Sequence, residues 1–155
     1  MAALVRLLVL LLAALTLGEA GLAVAGNGGA GPRRTEVVPA RVGEVDVRSS
    51  RGISRRVTNP AEVTTIVRWF DALHVDRSRG MYACPMIRAN SPTVRFAFRD
   101  TNGNVLARAS VLDAFHGLSG PCNPIDFRIR GHRELPLIGG HFLRRVQRLL
   151  GVRFG

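Results

Sequence analysis

Residues 93–111 read TVRFAFRDTNGNVLARASV, and this stretch decides the fold. Val94, Phe96 and Phe98 alternate with Arg95, Ala97 and Arg99, the period of two that marks a strand with one buried face. Asn102-Gly103 follows, the pair best able to hold the positive φ angles of a type I′ hairpin turn. With those two residues at the turn centre, Phe98 is predicted to face Ala107, Phe96 to face Ala109, and Val94 to face Val111. Each large inward side chain then meets a small or medium one, so the register is self-consistent. The opposite face of the hairpin carries Arg95, Arg99, Arg108 and Ser110.

Cys84 and Cys122 bracket this hairpin and are the only cysteines. Whether they pair depends on the redox compartment. Residues 1–25 hold Arg6, an apolar run over 7–17 and then Ala23-Val24-Ala25, the layout of a secretory signal peptide cleaved after Ala25. The run is shorter than the ~20 residues that a spanning helix needs, and Glu19 interrupts its extension. An uncleaved anchor is the alternative; no transmembrane span is expected in the mature chain. No cysteine follows the cleavage site, which gives no support to a lipid anchor. In an exported protein two cysteines usually pair. The loop they would close, about 40 residues, corresponds to roughly 4 kcal/mol in the chain-entropy account. Two lone cysteines lack the close ligand spacing of zinc sites, and two buried free thiols are the remaining reading.

Residues 26–36, rich in glycine, are expected to form a flexible lead-in, and residues 37–155 one folded domain. Residues 42–48 read as a strand with a bulge at Gly43-Glu44, and 53–57 as its return. Thr58-Asn59-Pro60 is a helix start, a side-chain cap followed by proline at the first helical position. Val63, Ile66, Val67, Phe70 and Leu73 then form one stripe at helical spacing, with Trp69 at its edge as half-buried packing. Residues 74–83 read as a polar loop. Ile125, Phe127 and Ile129 mark a further strand, and residues 140–150 a closing helix with Phe142, Val146 and Leu149 inward. The expected fold is α+β: one domain in the order β-β-α-β-β-β-α, a mostly antiparallel sheet with its helices on one face.

The formal charge is +11, and every basic residue is arginine. With so much alanine, glycine and valine, the absence of lysine reflects GC-rich coding more than selection for phosphate contacts. Residues 57–127 are nearly balanced in charge, so the excess lies at the two ends. Arg128, Arg130, Arg133, Arg144, Arg145 and Arg148 mark a basic C-terminal face that could dock on an anionic cell-envelope polymer or headgroup surface, though an ordinary solvated helix face is the favoured reading. Nucleic acid is the weakest candidate partner: one Tyr and one Trp leave little for base stacking.

No constellation of residues reaches the standard of a catalytic site. His74, His116, His132 and His141 are scattered without metal-ligand spacing, and no metal or cofactor is expected. Asp113 and His116 share a loop near Ser110 and Ser119, but no G-x-S-x-G elbow accompanies them. A hydrolase built on His116 is therefore the minor reading.

The segments VTNPAEVTTIVRWFDAL (57–73), YACPMI (82–87), VRFAFRDTNGNVLA (94–107), GPCNPIDFRI (120–129) and ELPLIGGHFLRRVQRLLGV (134–152) together resemble an uncharacterised family of small exported proteins of high-GC Gram-positive bacteria. Its pattern is a helix opening T-D-P-x-x-V, a Cys-Pro loop, an F-x-x-x-x-G hairpin, a second Cys and a closing helix. The resemblance covers residues 53–152 and implies fold and location, with no activity attached. Many members begin with a lipidated cysteine, which this chain lacks.

Cys84-Pro85-Met86-Ile87 is also similar to the reactive loop of the bacterial subtilisin-inhibitor family, where a Cys-Pro-Met loop braced by a disulfide presents Met to the protease. That likeness implies Met86 as the residue entering a specificity pocket, Pro85 and Ile87 as its flanks, and Cys122 as the tether. The upstream cysteine pair of that family is absent, and the spacing between the two cysteines is longer here. The reading that follows from the whole sequence is a secreted, non-catalytic binding domain at the bacterial cell surface, facing an anionic polymer or an extracellular protein. A secreted protease inhibitor is the alternative.

Overall fold

In the computed structural model, the described residues are 37–77, 82–87, 90–114 and 117–154. The expected signal peptide and lead-in lie outside them, as does His116. The described residues belong to one compact unit, Arg34–Gly155.

The central hairpin forms in the expected register. Strands β4 (Thr93–Arg99) and β5 (Val105–Leu112) pair antiparallel, with Phe98 opposite Ala107, Phe96 opposite Ala109 and Val94 opposite Val111. The turn differs from expectation. Only Gly103 has a positive φ, at 83°, so the type I′ geometry, which needs two such residues, is not adopted. Instead the Gly103 N–H donates to the Asp100 carbonyl at 3.1 Å, and a one-residue register shift falls between Phe98 and Arg99. The Asp100 carboxylate accepts from the backbone N–H groups of Asn102 and Asn104, at 2.9 and 2.8 Å. Those local bonds favour the longer turn, and the shift absorbs the extra residue without disturbing the inward pairs.

Strand β1 (Glu44–Ser49) pairs with β4 on one side and with β2 (Ser54–Val57) on the other. It starts two residues later than expected and carries no bulge, because Gly43 precedes the ladder. The Gly43 N–H still donates to the Arg99 carbonyl at 2.8 Å. On the far side β5 pairs with β6 (Asp126–Ile129), and β6 with the short β7 (His132–Arg133). The six-stranded antiparallel sheet runs β2-β1-β4-β5-β6-β7.

One stretch read as loop is partly strand. His74 and Val75 form β3, which pairs with β8 (Leu137–Ile138) in a second, two-stranded sheet. Two-residue strands carry no periodicity of their own, so only the partner reveals them.

Helix α1 (Pro60–Asp71) begins as its cap residues dictate: the Asn59 carbonyl Oδ1 accepts from the Ala61 N–H at 3.0 Å, and Pro60 opens the first turn. Val63, Ile66 and Phe70 are buried. Helix α2 (Phe142–Leu150) ends at Gly151 in the left-handed region and buries Phe142, Leu143 and Val146. Both helices pack on the same sheet face through a cluster of phenylalanine rings. Phe70 lies 5.1 Å from Phe98, 4.9 Å from Phe127 and 5.5 Å from Phe142, and Phe142 lies 5.3 Å from Phe96. Such tilted and edge contacts stabilise beyond their buried area. The α+β architecture with helices on one face is thus the observed one. The chain end joins the same core: Phe154 is fully buried, and its carbonyl accepts from the Ser49 hydroxyl at 2.9 Å.

Cys84 and Cys122 form a disulfide with a Cα–Cα separation of 5.3 Å. Buried Asn123 anchors its downstream end, donating from Nδ2 to the carbonyls of Leu112 and Leu118 at 2.9 and 3.0 Å.

Candidate functional site

With the helices on the inner face, the outward residues of β1, β4, β5 and β6 stand on the other face in rows set by the register. One row crosses the sheet as Arg48, Arg95, Ser110 and Asp126. The neighbouring row reads Asp46, Ala97, Arg108 and Arg128, with Arg56 and Arg133 at its two ends. These rows line a solvent-open groove of about 450 Å³, edged by Arg48, Arg95, Arg99, Arg108 and Arg128, with Asp46, Asp126 and Ser110 among them and Ala97 in its floor. This groove is the candidate site.

Its charges fall into two groups. Asp46 is buried, and its carboxylate holds two arginines: Arg99 Nε lies 2.9 Å from Oδ2 and Arg56 Nε 3.3 Å from Oδ1. Glu44 supports both, at 3.3 Å from Arg56 and 3.7 Å from Arg99. Burial opposes ionisation of Asp46, but the hydrogen bonds and positive charges of Arg99 and Arg56 together outweigh it and hold the carboxyl below the usual carboxylate range. Arg99 also donates to the Gly103 carbonyl at 2.7 Å, so its guanidinium is committed to the hairpin. At the other edge Asp126 takes Arg133 at 3.0 Å and Arg128 at 3.9 Å.

Arg48, Arg95 and Arg108 form the second group. All three are exposed, and none has a hydrogen-bond or ion-pair partner among the described residues. Arg48 and Arg95 stand directly opposite each other on adjacent strands, and Arg108 lies opposite Ala97, diagonal to Arg95. Like charges placed directly opposite repel. The face therefore carries three uncompensated cations around a small side chain, which is an anion-binding arrangement.

The structure distributes the other candidate residues over separate surfaces. Arg128 lies in the groove and Arg133 at its edge, while Arg130 occupies the turn beyond β6 with φ 48°. Arg144, Arg145 and Arg148 sit on α2, in the layer packed against the opposite sheet face, so the six C-terminal arginines do not share one surface. Arg145 lies 5.9 Å from the centre of the Trp69 ring, and Trp69 is half-buried as expected. In the disulfide-tethered loop Cys84 and Pro85 are exposed, Met86 is 94% exposed and Ile87 is half-buried.

Ser110 lies in the groove, whereas Ser119 is buried in the loop before Cys122, its hydroxyl without a hydrogen-bond partner among the described residues. The proposed base His116 falls outside the described residues. Among the described residues no cluster of His, Cys, Asp or Glu could hold a metal ion, and no helix is long and apolar enough to cross a membrane.

Arg48, Arg95 and Arg108 were not singled out as functional by sequence reasoning. The signal was available for two of them, since the hairpin pattern places Arg95 and Arg108 on its outer face. Arg48 joins them only once β1 pairs with β4. Comparison with family models, curated proteins and solved structures finds no match.

Proposed function

We propose that this chain is an exported, non-catalytic binding domain that takes an anionic polymer of the cell envelope onto the outer face of its sheet. The observation that carries this reading is the set of three exposed, unpartnered arginines, Arg48, Arg95 and Arg108, gathered in one groove. Cations gathered on one sheet face attract a polyanion and release its counterions on binding. Export is supported by the pattern of residues 1–25 and by the disulfide, which suits an oxidising compartment.

The test is equilibrium binding of the purified chain to a soluble polyanion over a range of salt. Affinity is expected to fall with rising salt, with a log–log slope of about −2 to −3 if each of the three arginines displaces one counterion. An Arg48/Arg95/Arg108→Gln variant is expected to lose binding, and an Arg144/Arg145/Arg148→Gln variant to keep it. The reverse result would move the site to α2.

A second reading rests on the exposure of Met86. An apolar side chain 94% exposed, two residues from a disulfide, suits insertion into the specificity pocket of a protease. Titration against subtilisin-like proteases decides it: no inhibition at micromolar protein, or unchanged inhibition by Met86→Asp, ends this reading.

A further inference from the structure

Building on the polyanion reading, we infer that the groove is a discrete phosphate-ester site, with one phosphate seated over Ala97 between Arg48, Arg95 and Arg108. Two features of the face, together with the shape of phosphate, point there. The three free arginines come from three different strands: Arg108 stands directly opposite Ala97, Arg95 two residues before it on its own strand, and Arg48 diagonal to it. A tetrahedral phosphate offers oxygens to donors arriving from several directions, whereas a planar carboxylate is satisfied by one fork in its own plane. Ala97 is the only side chain in its row between Asp46 and Arg108, and its small size leaves the space that the anion fills.

The flanking carboxylates define the rest of the ligand. Asp46 lies on one side of Ala97 and Asp126 on the other edge of the groove, beyond Ser110. A polymer with closely spaced charges would press its anions onto these carboxylates. A polymer whose phosphates are separated by neutral, hydroxyl-bearing links sets its charge over the arginines and its hydroxyls against Ser110 and Asp126, which can accept from them. The ligand class is therefore a phosphodiester-linked polyol.

The experiment titrates the purified full chain, by calorimetry at low salt, with two probes of matched length: a glycerol phosphate oligomer and polyglutamate. Each is run with the wild type, Ala97→Leu and Ala97→Ser. The wild type is expected to bind the phosphate oligomer about tenfold or more tightly than polyglutamate, since losing one charge-assisted pair is worth at least that factor. Ala97→Leu, which keeps every charge, should remove this preference, and Ala97→Ser, which keeps the space, should retain it. Equal affinity for the two probes, or a preference unchanged in Ala97→Leu, overturns the phosphate site while leaving the polyanion reading intact. Failure of the wild type to bind either probe overturns both. If Ala97→Leu does not fold, Arg95→Gln replaces it, with the same loss of preference expected and the same preservation overturning the site.

Discussion

Arg48 on β1 and Arg95 on β4 stand directly opposite each other on the outer sheet face, with no carboxylate assigned to either. Two cations held together by backbone pairing raise the energy of the folded state. Arg95→Gln is expected to increase stability by about 0.2–1 kcal/mol at low ionic strength. The gain should shrink at 1 M salt, where the screening length falls to about 3 Å. Urea denaturation of both proteins at two salt concentrations measures it, and a variant less stable than wild type at low salt would show that the pair does not repel.

Asp46 acts in the opposite sense, drawing Arg99 and Arg56 out of the pool of free cations. Asp46→Asn should lower stability by about 1–2 kcal/mol, the loss of hydrogen bonds to charged groups discounted for partly exposed arginines. The same change should tighten polyanion binding, because it removes a negative charge beside the groove and leaves Arg56 and Arg99 less fully neutralised. Weaker binding by a folded Asp46→Asn variant would contradict the division of the face into paired and free arginines.

The pH dependence of that contribution follows from its direction. The Asp46 carboxyl titrates lower in the folded chain than in the unfolded one, where the ordinary aspartate value is about 3.9. Its stabilisation is therefore complete above that unfolded value and is lost as pH falls through the folded one. Stability curves for wild type and Asp46→Asn should run parallel above about pH 5 and converge on acidification. Curves that stay parallel down to pH 2 would remove Asp46 from the account.

Cys84 and Cys122 fasten the loop before β4 to the loop after β5, at the open end of the central hairpin. The double substitution Cys84→Ser/Cys122→Ser should cost roughly 4 kcal/mol by the chain-entropy estimate. Reduction of the wild type should cost a similar amount. Denaturant midpoints of oxidised, reduced and substituted protein give the comparison, and a reduced protein as stable as the oxidised one would exclude a structural role for the bond.

Gly139 and Gly120 provide an internal contrast. A Cβ on Gly139 would overlap the Leu73 side chain, where the end of α1 meets β8, whereas a Cβ on Gly120 meets nothing within 4 Å. Gly139→Ala should lose about 1–3 kcal/mol through overpacking. Gly120→Ala should be nearly neutral, and thermal melts of the two variants separate them.

Much of this architecture is legible in the chain. Alternation in residues 93–111 carries the hairpin register, because a one-residue slip would turn Phe96 and Phe98 to solvent. Asn59-Pro60 announces α1, because a capping side chain and a ring without an N–H both suit the first turn. The turn at Asp100–Gly103 was misread, because side-chain bonds from Asp100 outweigh the preference of the Asn-Gly pair. Charge counted along the chain also misled. Residues 57–127 are nearly neutral in total, yet Arg95 and Arg108 come from that span and stand unpaired, while its Asp126 is taken up by arginines from further along.

By itself, then, the sequence determined which residues face inward, where the first helix begins and which cysteines were available to bond. Those properties depend on neighbours within a few positions or on the absence of alternatives. Tertiary structure alone decided that Arg48, Arg95 and Arg108 gather on one sheet face beside Ala97 and that the C-terminal arginines part company. Side chains 13 to 60 positions apart become neighbours only through the strand order β1-β4-β5, and hydrogen bonding between strands, not local preference, sets that order.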